Sequence, residues 1–190
     1  MELFSRGTWA NIHGLVLGGV ILLAFIGALA GMWRIRAELR GAESRQARIT
    51  VLRVALGALA LVLWAAVITG TWIVYPWYRE KLAAAGFADC EGLAGPSETC
   101  SPRDFLLSNA SGETAIWHEL GMEWKEHIAW TAPFLATSAF LLVSYYGSRV
   151  MTRTWLRTAL FVMVVAAIGA ATLGGGFGTF ISKFAPIHAH

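Results

Sequence analysis

Charge is what this sequence has least of. Only 14% of its 190 residues are charged, where a soluble domain carries about 25%. Most of its surface is therefore not built to face water. Cysteine is almost absent as well, with two residues in the chain, so a multiply stapled secreted scaffold is excluded. No glycine-rich phosphate loop stands in a soluble context, because the Gly174–Gly178 cluster falls inside an apolar run. No Ser/His/Asp or Cys/His arrangement marks a hydrolase, and no repeat or low-complexity tract is visible.

What is present is apolar length. Hydrophobic residues make up 56% and the mean hydropathy is +0.57. Four runs, Ile12–Trp33, Val51–Val74, Ile128–Gly147 and Trp155–Ile181, each meet the roughly 20 residues needed to cross about 30 Å of hydrocarbon. The expected fold is an all-α integral membrane protein: four transmembrane helices in a bundle, one domain over residues 1–190. The first run is too long for the apolar core of a cleaved leader, and no A-x-A site follows it.

Arginine sets the expected orientation. The first connection carries Arg34, Arg36, Arg40, Arg45, Arg48 and Arg53, and the third carries Arg149, Arg153 and Arg157. The positive-inside rule places both in the cytoplasm. The N-terminus, the C-terminus and the long connection 75–127 then face the outer side of a bacterial-type cytoplasmic membrane. The same rule explains the net charge of +3 without a nucleic-acid partner. Cys90 and Cys100 both fall in the outer connection, where a disulfide between them would persist. A Cys-x9-Cys spacing is not a usual metal-ligand spacing.

Two prolines and a helix complete the expected layout. Pro76, inside the aromatic stretch Trp72–Tyr78, is expected to stop the second helix, and Pro133 to bend the third. Residues 114–127 read as an amphipathic helix lying on the outer surface before the third span. Trp117, Leu120, Trp124 and Ile128 form its apolar face. His118, Glu119, Met122, Glu123, Glu126 and His127 form its polar face.

All five histidines, His13, His118, His127, His188 and His190, fall on the outer side in this layout. His13 lies roughly 6 Å down the first helix from Trp9 at 1.5 Å per residue. An ionisable residue inside a span is a functional candidate by default. The expected cofactor is one b-type haem near the outer face, with His13 and His127 as axial ligands and His118 in reserve. Gly14, Gly18, Gly19 and Gly174–Gly178, among them Gly175, would leave room for the macrocycle at that depth. A quinone is the second cofactor such a site would serve, and Glu119, Glu123 and Glu126 could carry protons from quinol outward. The resulting function is a membrane subunit of a respiratory or electron-transfer complex, linked to quinol or to an outer-side electron carrier.

Three competing readings stand beside this one. His13 could bond across helices simply to satisfy itself, as polar residues in bundles do. The chain could be a structural or assembly subunit held to other membrane subunits by its glycine faces. Finally, Glu119, Glu123 and His127 at i, i+4, i+8, with His118 alongside, could hold zinc or copper, against the ordinary meaning of such a stripe as a solvated polar face.

Overall fold

A computed structural model of the chain describes residues 8–36, 45–79, 100–109 and 115–183. Four of its helices are long and apolar enough to cross a membrane: α1 Thr8–Arg34, α2 Arg45–Val74, α4 Trp117–Tyr146 and α5 Thr154–Ile181. The protein is a multi-pass membrane bundle, and no strand occurs among the described residues. A short helix, α3 (Pro102–Asn109), lies in the long connection. Cys90, His188 and His190 fall outside the described residues.

Neighbours in sequence are neighbours in space. α1 packs on α2, α2 on α4, and α4 on α5, whereas α1 and α5 touch only lightly. Cross-helix contacts fix the antiparallel register. At one end His13 meets Thr69, and at the other Gly31 meets Leu52. The core is one row per helix: Leu52, Leu56, Leu59 and Leu63 on α2, Ala132, Ala136, Ala139 and Val143 on α4, and Leu156, Leu160 and Val164 on α5. Small residues on α4 let the backbones approach, as membrane helices require when apolar burial alone gives no drive. Trp64 Nε1 donates to Thr137 Oγ1 at 3.0 Å across the α2–α4 seam. Leu22, Leu23, Leu61, Leu141 and Val162 are exposed on the outside of the bundle, the positions lipid covers.

The structure departs from the expected layout at two places, the faces of residues 117–128 and Pro76. Residues 117–129 form a helical stretch that leads directly into the helix Thr131–Tyr146, joined to it by an interruption at Trp130. The two faces are mixed: Leu120 and Trp124 are 53% and 55% exposed whereas Trp117 and Ile128 pack inward, and His118 and Met122 are buried whereas Glu119 and His127 are exposed. His118 turns inward to pair with Tyr78.

Pro76 does not stop α2, which continues as Tyr75–Tyr78. A π turn at Gly70–Val74 precedes it, and the wider turn takes the strain a proline ring would otherwise impose on the carbonyl four residues back. The glycine clusters at the histidine-bearing ends of α1 and α5 border open space: a Cβ at Gly14, Gly18, Gly19, Gly174, Gly175 or Gly176 would meet nothing within 4 Å. Close approach occurs at Gly31 against Leu52, Gly57 against Phe140, and Gly70 against His13.

Candidate functional site

The polar groups of the bundle gather at the end where α1 and α4 begin and α2 and α5 finish. Three π turns mark this end: Ile12–Val16 on α1, Gly70–Val74 on α2 and Trp117–Gly121 on α4. Such turns often occur at functional sites because they re-aim side chains and free backbone groups. Here each holds a member of the cluster: His13, Gly70 and His118.

His13 lies on the α1–α2 seam. Its Nδ1 is 3.2 Å from Thr69 Oγ1. The Thr69 hydroxyl spends its single proton on the α2 backbone, 2.8 Å from the Ala65 carbonyl and 3.1 Å from that of Ala66. Thr69 Oγ1 therefore accepts from His13, which assigns the proton to Nδ1 and leaves the lone pair on Nε2. The ring rests against Gly70, where a Cβ would stand 2.8 Å from His13 Cε1 and 3.3 Å from Nε2. Gly70 is the residue that lets an imidazole occupy this seam.

A second group lies on the α2–α4 side. Tyr78 and His118 are buried together, with Tyr78 Oη 3.2 Å from His118 Nδ1. Burial is the main cause that pushes the Tyr78 phenol up to about 12. Arg79 forms an ion pair with Glu123 and stacks over the Tyr75 ring at 5.1 Å. The Tyr75 hydroxyl bonds Glu126, and burial, with Glu126 next, pushes that phenol up too. Glu126 Oε1 is buried without a hydrogen-bond partner. Lys125 lies between the two groups. Its Nζ is 3.4 Å from where a Cβ on Gly178 of α5 would stand, and it acts electrostatically on His13.

The sequence-derived candidates separate under this geometry. The described contacts of His13 go to α2 and to Lys125. His127 is exposed, and its Nδ1 donates to the Glu123 carbonyl of its own helix at 2.7 Å. His118 pairs with Tyr78, Glu119 is exposed, and Glu123 is engaged by Arg79. Gly14, Gly18 and Gly175 border open space. No group of three or more His, Cys, Asp or Glu is placed to hold a metal ion among the described residues.

Thr69, Gly70, Tyr78 and Lys125 belong to the site although the sequence reading did not select them. A Thr-Gly pair at the end of an apolar run was the available signal for the first two. Lys125 was hidden because it sits in a polar stretch that read as solvated. No protein-family model, curated protein or solved structure matches the chain.

Proposed function

We propose that this chain is a membrane subunit of a quinol-linked electron-transfer complex, with its redox site at the histidine end of the bundle. The observation that carries this is the placement of His13, held with Nδ1 3.2 Å from Thr69 Oγ1 inside a membrane span and beside an ammonium, Lys125. With the Thr69 proton on the α2 backbone, the tautomer that suits this contact keeps the lone pair on Nε2. An acceptor nitrogen at that depth suits a quinol hydroxyl, which must give up its proton when its electrons leave. The Tyr75–Glu126 and Arg79–Glu123 groups would then carry the proton toward water, and the electrons would pass to a partner subunit or an outer-side carrier.

A b-type haem on His13 is the second reading, favoured by the same lone pair. Metal-ligating histidines are held in just this way, with the other ring nitrogen donating to an oxygen. One axial bond from His13 Nε2 is what the described contacts support.

The arginine-rich connections argue that the histidine end faces out of the cytoplasmic membrane. A Cys90–Cys100 disulfide fits that side. Cys100 is fully buried, and no described cysteine is free.

One preparation tests the function. Purified protein in nanodiscs is titrated with a short-tailed quinone, followed by tryptophan fluorescence, and a reduced-minus-oxidised visible spectrum is recorded. Saturable quinone quenching is expected, weakened about tenfold in His13→Ala, as for loss of one good hydrogen bond. A reduced b-type band lost in His13→Ala supports the haem reading instead. Neither quinone nor haem in the wild type leaves a structural subunit as the function.

A further inference from the structure

The α2–α4 seam is a ladder of facing residues. Trp64 of α2 bonds Thr137 of α4. Nearer the arginine end Gly57 meets Phe140, whose Cε2 is 3.2 Å from the Cβ position of the glycine. One turn further the same two faces carry Arg53 and Ser144. Residues 53, 57 and 64 share one face of α2 by their spacing, and residues 137, 140 and 144 share one face of α4. The last rung therefore sets a guanidinium opposite a hydroxyl.

Arg53 Nε and Ser144 Oγ are both buried, and neither has a hydrogen-bond partner. A buried donor left unbonded is costly, so two of them on one rung call for an acceptor. Among the described residues no carboxylate supplies one. Asp104, Glu119, Glu123 and Glu126 all lie toward the histidine end. Orientation does not explain the placement either. The positive-inside rule asks for charge flanking the spans, which the exposed Arg45, Arg149 and Arg153 provide. It does not ask for an arginine on a face that meets another helix. Arg53 and Ser144 are only partly buried as whole residues, so the rung can be reached from the lipid side. Around it Tyr145, Trp33 and Trp155 are 83%, 70% and 59% exposed, as aromatics are at headgroup level. The anion at that depth is a lipid phosphate.

We infer that Arg53 and Ser144 hold the phosphate of an anionic phospholipid in the leaflet at the arginine end. The guanidinium donates to two phosphate oxygens through Nε and a terminal nitrogen, a fork that a lysine lacks. Ser144 Oγ donates to the same group. The exposed arginines around the rung draw anionic lipid toward it. This site lies at the opposite end of the bundle from His13 and does not depend on what binds there.

The test uses the full chain, delipidated in mild detergent, with thermal unfolding as the readout. Phosphatidylglycerol is expected to raise the melting temperature of the wild type. Diacylglycerol with the same chains, and inorganic phosphate alone, are expected to leave it unchanged. In Arg53→Met the response should need about tenfold more phosphatidylglycerol, the loss of one charge-assisted contact. Ser144→Ala should need about threefold more, the loss of one neutral hydrogen bond. Arg149→Met, which removes an exposed arginine, should respond as the wild type does. An unchanged response in Arg53→Met overturns the assignment. So does an equal weakening in Arg149→Met, which would mean diffuse charge and no site. A full response to diacylglycerol or to inorganic phosphate overturns the lipid phosphate as the ligand. Should Arg53→Met fail to fold, Ser144→Ala and the three wild-type titrations still decide.

Discussion

At the scale of single residues, the site is a set of polar groups that lipid would penalise unless each found a partner. His13 is the clearest case, held by Thr69 and seated against Gly70. Restoring a Cβ at position 70 pushes the ring out of the seam. Gly70→Ala is expected to destabilise the protein by about 1–3 kcal/mol, the usual cost of overpacking. Removing the ring should remove the clash, so His13→Ala/Gly70→Ala is expected to melt close to His13→Ala alone. Thermal unfolding of the three variants in one detergent checks this. If the double variant melts far below His13→Ala, the His13–Gly70 contact is not what the glycine serves. The sequence marked His13 by residue type and depth alone. It could not mark Gly70, whose role exists only once α1 is docked on α2.

At the scale of elements, the polar contacts at the histidine end tie the end of α2 to the start of α4. Arg79 with Glu123, Tyr75 with Glu126 and Tyr78 with His118 all cross that gap. The Arg79–Glu123 side chains are 37% and 47% exposed, so water screens the pair. A double-mutant cycle over Arg79→Ala and Glu123→Ala is expected to give a coupling of only about 0.2–1 kcal/mol. A coupling several times larger would mean the pair is shielded by lipid or by another subunit. The helices themselves were legible because a run of apolar residues long enough to span has few other uses. The burial of His118 was not. Its residue type matched the exposed Glu119 and His127, and the group that draws it inward, Tyr78, comes from the far end of α2. Pro76 misled for a different reason. A π turn that absorbs a proline leaves no mark in the residue pattern.

At the scale of the whole molecule, the two ends of the bundle differ in kind. Arg45, Arg48, Arg53, Arg149, Arg153 and Arg157 lie at one end, and His13, His118, Glu119, Glu123, Glu126 and His127 at the other. Four helices in antiparallel sequence put both arginine-bearing connections on one face. Translocating those connections would be opposed by their nine arginines, whereas the long connection carrying Cys90 and Cys100 spreads four basic residues, Arg79, Lys81, Arg103 and Lys125, over a much greater length. The proposed chemistry depends on this asymmetry, since a quinol proton released at the histidine end must emerge on the outer side. With Cys90 and Cys100 replaced by serine, single cysteines at Ser148 and at Glu91 are expected to react with an impermeant thiol reagent from opposite faces. Ser148→Cys should label only from the cytoplasmic face, and Glu91→Cys only from the outer face. The reverse pattern would leave the bundle intact but put the histidine end in the cytoplasm. There a Cys90–Cys100 bond would not persist, and quinol oxidised at His13 would deliver its protons to the wrong side for a respiratory complex.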